Sequence, residues 1–106
     1  AYRRQRQMCI RDSSGTSPED FRILLAHQPK TGSLSKEKFD LQLSGHTHGG
    51  HIFFMYLILA YFNDGLVSGF YDRGDRKVYV TNGSGLWNGF TMRVGVPSEI
   101  TFITLQ

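Results

Sequence analysis

The sequence predicts a mixed α/β fold that becomes rich in β-strands after residue 63. Two short apolar runs, residues 21–26 and 39–43, each lead into a segment that contains histidine, which is typical of strands that end at a site. Turn signals rich in glycine and asparagine then separate three further strand-like runs. With 106 residues, of which 40% are hydrophobic, the chain is long enough for one small domain.

The charge balance argues against a nucleic-acid-binding surface. The formal net charge is +3, but four of the 12 basic residues lie within the first eleven positions. Subtracting those four, together with the single acidic residue of positions 1–13, leaves eight basic and eight acidic residues, too even a balance for a basic stripe. The single cysteine, Cys9, excludes an internal disulfide and a cysteine-rich zinc site, so a metal would need histidine and oxygen ligands.

The chain divides into a tail, a linker and one domain over residues 21–106. Residues 1–13 are a doubtful N-terminal tail, and residues 8–13 are similar to one reading frame of a sequencing adapter, so one hypothesis makes the tail a sequence artefact. Residues 14–20 form a linker rich in serine, glycine, threonine and proline. No signal peptide or transmembrane segment is recognisable, and the location stays open between the cytoplasm and the membrane at the cell envelope.

The first half of the domain predicts two strands. Residues 21–26 form a nearly continuous apolar run, which predicts a strand buried on both faces that stops at Pro29, just after His27. A helical turn is expected over residues 35–39, and residues 39–43 predict the second strand. In open α/β sheets the carboxyl ends of strands carry the site, so the histidines that follow both strands are expected to meet.

The most hydrophobic stretch of the chain is residues 52–62. It is too short to cross a bilayer as a helix. Packing in the core or at an interface is the favoured interpretation. The alternative is a surface that faces a membrane or accommodates a lipid, because apolar patches also mark interaction sites.

The second half of the domain predicts strands over residues 66–71, 77–81 and 99–105, separated by turn signals. The last of these alternates apolar and polar residues. This alternation predicts one face on a core and the other on solvent or on another layer.

All four histidines of the chain lie between positions 27 and 51: His27, His46, His48 and His51. In a His-x-His pair at a strand end both imidazoles lie on the same side, with Thr47 facing away, so the two rings can approach one ion or two neighbouring ions. The glycines around the pair leave room for a ligand. A lone histidine, and even a lone His-x-His pair, is more often only hydrogen-bonded, but the surrounding glycines raise the odds of a metal site.

Three segments carry a family resemblance. Residues 45–50 (GHTHGG) resemble the last metal-ligand motif of the calcineurin-like metallophosphoesterases, and residues 24–29 (LLAHQP) are similar to the motif before it. Residues 78–85 and 92–100 resemble the closing strands of the bacterial branch with the GHTHGG motif. The resemblance extends over residues 21–105 and implies the C-terminal part of an αββα sandwich.

The resemblance also implies a dinuclear site with two divalent ions, of manganese, iron or zinc. His27 and His46 would bind one metal, and His48 would bind the other. The upstream motifs of the family, an Asp-x-His, a bridging aspartate and an Asn-His, are absent from this chain. The catalytic leaving-group histidine and the bridging aspartate are therefore unassigned, and the chain alone is expected to be inactive.

The activity that the resemblance implies is hydrolysis of a phosphodiester or phosphomonoester by attack of a metal-activated hydroxide on phosphorus. Lipid-linked phosphate esters are included, because the branch contains membrane-associated hydrolases and hydrolases of nucleotide-sugar lipids. Membrane association of the parent protein is accordingly a second expectation. The alternative is a non-enzymatic module in which the four histidines bind one zinc ion.

Three further side chains are candidates for substrate binding: His51, Asn82 and Arg93. The branch usually has glutamine at the position of His51. Asn82 lies in a glycine-rich segment that is either an anion-binding loop or a plain turn. Arg93 would bind a phosphate, or else tie to Glu99 or to a backbone carbonyl. Trp87 and Phe90 would stack on a substrate or pack on the sheet.

Overall fold

The computed structural model describes residues 15–52, 54–86 and 92–106. Their elements are strand β1 (Ile23–Leu25), helix α1 (Thr31–Leu34), strand β2 (Leu41–Ser44), a 3₁₀ turn (His48–Gly50), helix α2 (Met55–Phe62), strand β3 (Gly69–Asp72) and strand β4 (Lys77–Val80). The mixed α/β fold predicted from the sequence is confirmed, as part of an α/β sandwich.

The four strands form one sheet in the order β1-β2-β4-β3. Strand β2 pairs in parallel with β1 and with β4, whereas β3 runs antiparallel to β4. The carboxyl ends of β1, β2 and β4 consequently meet at the same edge of the sheet. The segments that follow these three strands, which begin at Ala26, Gly45 and Thr81, are neighbours in space.

One face of the sheet carries the core. Val78 and Val80 of β4 are buried there against Leu66. Gln42 lies on the same face and is fully buried, and its Nε2 donates to the Pro29 carbonyl at 2.8 Å and to Ser44 Oγ at 2.7 Å. These bonds compensate the cost of burying the Nε2 group and hold the segment after β1 against β2.

The opposite face is exposed along β1, so the prediction that residues 21–26 are buried on both faces is wrong. Ile23 is 44% and Leu25 is 76% exposed. The reason is that β1 is an edge strand whose outer face is not covered by another layer in the described part of the chain. Phe70 and Tyr79 line the same side, where an open cleft of about 970 Å³ lies between the sheet and residues 101–106.

The strand predicted over residues 99–105 is also wrong, because these residues join no ladder. Ile100 and Phe102 are both 94% exposed. Alternation specifies which side chains share a face, but a strand also needs a neighbour with which to pair. The helical turn expected at residues 35–39 is likewise displaced: the turn of helix lies earlier, at Thr31–Leu34, where the Thr31 N–H donates to the Gln28 carbonyl just before Pro29.

Helix α2 contributes no buried residue to the core, contrary to core packing of residues 52–62. Leu57 and Tyr61 are 75% and 84% exposed. Of the two forms of packing that were favoured, the exposure agrees with packing at an interface, because a helix that is apolar on all sides buries its surface against another layer. Among the helices of the described ranges, none has the length and apolarity that a membrane crossing requires.

Glu99 anchors the start of the last segment. Its carboxylate accepts hydrogen bonds from Tyr79 Oη, from Thr101 Oγ1 and, at 3.3 Å, from the Asn82 N–H, and its own N–H donates to the Gly83 carbonyl at 2.9 Å. Burial alone would raise the pKa of Glu99, but the hydrogen bonds outweigh it and lower that pKa. Glu99 therefore stabilises the fold in its ionised form.

Replacing Glu99 by glutamine should remove a pH-dependent part of the stability. Since the folded pKa is depressed, this contribution is present above the ordinary value of 4.5 and is lost as the pH falls below it. We expect Glu99→Gln to lower the free energy of unfolding by about 1 kcal/mol near neutral pH and to flatten its decline below pH 4.5. Urea unfolding of the wild type and of Glu99→Gln, at pH values above and below 4.5, measures the two free energies of unfolding. If both free energies change with pH in parallel, ionised Glu99 does not stabilise the fold.

Candidate metal centre

The loop after β2, residues 45–51, has an unusual backbone, and we call it the histidine loop. His46, His48 and His51 have φ angles of 70°, 48° and 55°, and Gly49 and Gly50 are also at positive φ. This region costs a residue other than glycine about 1–2 kcal/mol. Strain of this kind persists only where surrounding contacts impose it, and it concentrates at functional sites.

Thr47 supplies one of these contacts. It is fully buried, and its Oγ1 donates to the Val67 carbonyl at 2.6 Å. Its N–H donates to the Gly45 carbonyl at 2.9 Å, and its carbonyl accepts from the Gly50 N–H at 2.8 Å. Thr47 thus faces away from its two histidine neighbours, as predicted, and holds the loop in its tight turn.

His27 and His46 come together at the ends of β1 and β2. His27 Nε2 and His46 Nδ1 are 3.0 Å apart, and the rings meet edge to face with centroids separated by 4.8 Å. Two nitrogens bound tetrahedrally to one zinc at about 2.0–2.1 Å lie about 3.3 Å apart, which is close to this separation. The pair therefore fits two ligands of a single ion.

The electrostatics of this pair also favour metal binding. Burial lowers the pKa of His46, and the neighbouring His27 and His48 lower it further. The His46 imidazole is therefore neutral near pH 7. A neutral imidazole is the form that offers a lone pair to a metal.

His48 is oriented by a different loop. Its Nδ1 lies 3.1 Å from the Gly85 carbonyl, in the segment after β4. A carbonyl oxygen only accepts, so this contact is a hydrogen bond when Nδ1 carries the proton, and in that tautomer of the neutral ring Nε2 has the lone pair. This partnership is not readable from the sequence, because every residue has a carbonyl.

His51 lies behind His48 and is fully buried. The two rings stack with centroids 5.0 Å apart and planes inclined by 20°. Burial lowers the pKa of His51, as do the charges of His48 and Arg93, so this imidazole is neutral as well. His51 packs on a candidate ligand and has no exposed surface of its own.

The four histidines thus form two pairs. Within residues 15–52, 54–86 and 92–106, no three histidine, cysteine, aspartate or glutamate side chains are close enough to hold one ion. This arrangement disfavours the alternative of one zinc held by all four histidines. The pairing of His27 with His46 matches the pair that the resemblance implies for one ion, and the role of these histidines as metal ligands stays a prediction.

Asn82 is a neighbour of the histidine loop. Its Oδ1 accepts from Ser68 Oγ at 2.6 Å. A Cβ at Gly49 would lie 2.4 Å from the same oxygen, so the absence of a side chain there lets Asn82 pack against the loop. Ser68 was not predicted as a site residue, and a lone serine in a loop gives no signal in the sequence.

Arg93 reaches five backbone carbonyls. Its Nη2 donates to those of Asn82, Gly83 and Gly85 at 2.9, 3.1 and 2.6 Å. Its Nη1 donates to those of His48 and Pro97 at 3.3 and 3.4 Å. These contacts match the predicted alternative in which Arg93 is tied to backbone carbonyls. Phosphate binding by Arg93 stays a prediction. Trp87, Phe90 and Cys9 lie outside the described residues.

A mixed α/β sheet whose parallel strands deliver histidines to one edge defines a candidate metal-binding domain. The relatives of this chain are metallophosphoesterases. An uncharacterised metallophosphoesterase of Campylobacter jejuni is 52% identical over 87 residues, which cover 79% of this chain and 22% of the relative. A bovine transmembrane protein with a metallophosphoesterase domain is 40% identical over 96 residues, or 87% of this chain and 21% of the relative.

An uncharacterised metallophosphoesterase of Bacillus subtilis is 36% identical over 90 residues, or 81% of this chain and 31% of the relative. No family model matches the chain, and no solved structure matches it significantly. The chain belongs to the metallophosphoesterases, of which it is a partial, C-terminal-like region. It spans between about a fifth and a third of the length of the relatives described here.

Proposed function

We propose that the protein containing this region is a metal-dependent hydrolase of phosphodiesters or phosphomonoesters. His27 and His46 bind one divalent ion, and His48 binds a second through Nε2. The observation that carries this proposal is the 3.0 Å separation of His27 Nε2 and His46 Nδ1 at the carboxyl edge of parallel strands. The naming of the relatives as metallophosphoesterases supports the same class of reaction.

The residues of this chain prepare the site in several ways. The low pKa of His46 keeps its lone pair available, and the Gly85 carbonyl keeps the proton of His48 on Nδ1. Thr47 fixes the turn between them. When bound, the divalent ions would neutralise charge on the phosphoryl oxygens and activate water as a nucleophile. Manganese, iron and zinc all accept imidazole ligands.

Two of the predicted substrate-binding residues have different roles in this proposal. Asn82 is half-buried at the edge of the site, and its amide nitrogen would donate to a phosphoryl oxygen. His51 is buried and would instead support the His48 ring from behind.

A lipid-linked phosphate ester is the substrate that the surroundings of the site favour. The exposed apolar helix α2 follows the histidine loop, and a Cβ at Gly50 would lie 3.2 Å from the Tyr56 nitrogen. An apolar surface therefore adjoins the candidate metal centre. One relative is itself named a transmembrane protein, which supports membrane association of the whole protein.

The test uses a chimera in which residues 21–105 of this chain replace the matching region of the Campylobacter jejuni relative. We expect the chimera, loaded with manganese or zinc, to hydrolyse bis(p-nitrophenyl) phosphate or p-nitrophenyl phosphate, and the 106-residue chain to be inactive. A faster rate on a phosphate ester with a long acyl chain would support the lipid-linked class. A folded, metal-loaded chimera that hydrolyses none of these esters would contradict the proposal.

A further inference from the structure

Arg93 joins three segments around the histidine loop. Its two Nη atoms donate to carbonyls of the histidine loop, of the segment after β4 and of Pro97. A planar guanidinium with its fork of donors can serve several carbonyls at once, whereas lysine offers one compact charge. Arg93 therefore fixes the position of the segment after β4 relative to the histidine loop.

One of these carbonyls connects Arg93 to a candidate metal ligand. The Gly85 oxygen accepts from Arg93 Nη2 at 2.6 Å and from His48 Nδ1 at 3.1 Å. Gly85 is exposed, and a Cβ placed on it would contact nothing within 4 Å, so its own surroundings do little to hold the carbonyl in place. The guanidinium is the charged donor that does so.

We propose that Arg93 is a positioning residue for His48. By holding the Gly85 carbonyl, Arg93 keeps the His48 proton on Nδ1 and thereby presents the Nε2 lone pair toward the metal. A partner that sets the tautomer of a ligand histidine normally affects metal affinity by about 10–100-fold. The role of Nε2 as a ligand rests on the proposed function, but the tautomer itself does not.

The experiment reads the tautomer directly in the metal-free 106-residue chain. Long-range ¹H–¹⁵N correlation spectra of the histidine rings distinguish Nδ1–H from Nε2–H, at about pH 8, where an imidazole with a pKa of about 6.5 is neutral. The variants are Arg93→Lys and Arg93→Gln. The matched control is Arg76→Lys. Arg76 lies just before the amino end of β4 and also donates to a backbone carbonyl, that of Gly32, at 2.8 Å.

We expect His48 to be the Nδ1–H tautomer in the wild type and in Arg76→Lys, and to shift toward Nε2–H in the Arg93 variants. A wild-type His48 in the Nε2–H form would overturn the proposal without any variant. So would an unchanged Nδ1–H tautomer in an Arg93 variant whose backbone amide spectrum shows a folded chain. If Arg93→Gln does not fold, the His48 tautomer in the wild type and in Arg93→Lys tests the proposal.

A second readout separates this proposal from the proposed function. In the chimera, competition of Zn²⁺ with a chelator should show an affinity about 10–100-fold weaker for Arg93→Lys than for the wild type. If the wild-type chimera binds no Zn²⁺, the proposed function fails while the tautomer result still stands. If Zn²⁺ binds equally to wild type and Arg93→Lys, the positioning role fails while the metal site stands.

Discussion

Replacing His46 by asparagine in the chimera is expected to abolish hydrolysis of phosphate esters. A bound metal supplies several kcal/mol of transition-state stabilisation, and each 1.4 kcal/mol or so is tenfold in rate, so the loss should be about 10³-fold or more. Asparagine suits this position better than alanine, because His46 has a φ of 70° and asparagine tolerates that region. The loss then reports the missing ligand and not a distorted loop. The steady-state rate and the metal content of the same sample measure it.

The matched control is Asp64→Asn. Asp64 is exposed and also has a positive φ, of 55°, but it lies after α2 and outside the histidine loop. The control variant should keep the activity and metal content of the wild type. His48→Asn should behave like His46→Asn. Full activity in either histidine variant would show that the replaced histidine is not needed for the reaction.

Gly49→Ala is expected to be the most damaging of the glycine substitutions in the site. Gly49 has a φ of 61°, and a Cβ there would lie 2.4 Å from both Asn82 Oδ1 and Val96 Cγ1. The conformational cost is about 1–2 kcal/mol. The overlap adds about 1–3 kcal/mol, because Asn82 must leave Ser68 or the loop must move. Chemical unfolding of the 106-residue chain measures the sum of the two costs.

Gly74→Ala separates the two costs. Gly74 has a φ of 86°, and a Cβ there would contact nothing within 4 Å. Its substitution should carry the conformational cost alone. The difference between the two variants is then the overlap at Gly49. Equal destabilisation would show that Asn82 and Val96 move aside at no cost and that the packing around Gly49 is loose.

The convergence of His27 and His46 could be predicted from the sequence. Two short apolar runs that each end near a histidine predict strands, and parallel strands bring their carboxyl ends to one edge. The glycines around the His-x-His pair likewise predict a tight loop. Thr47 faces away from the two histidines as predicted, but it does so in a turn beyond the end of β2, with φ −75° and ψ −20°, and not through the period of a strand. Patterns within short windows suffice for these features, because they depend on local geometry.

The burial of the strands could not be predicted in the same way. Residues 21–26 and 99–105 have the apolar character of buried strands, yet Leu25 and Phe102 are exposed. An apolar run shows that a segment suits a covered surface, but only the tertiary structure decides whether another layer covers it. The same reason accounts for α2, whose apolar residues contribute nothing to the core of the described structure.

The contacts that orient the His48 ring also could not be predicted from the sequence. Its partners are a backbone carbonyl and a stacked ring, and the guanidinium that holds the carbonyl lies 45 positions along the chain from His48. Arg93 was predicted as a phosphate ligand or a backbone tie, because an arginine near a phosphate site suits both roles. The distances to five carbonyls favour the tie, and side-chain type alone does not indicate it.

In the proposed function, His27, His46 and His48 hold the metals of a phosphoesterase. The most direct measurement is the metal content of the purified chimera by inductively coupled plasma mass spectrometry, for the wild type and for a variant in which all three histidines are replaced by asparagine. We predict two divalent ions per wild-type molecule and less than one per variant molecule with an unchanged circular dichroism spectrum. Two ions retained by the folded triple variant would contradict the claim.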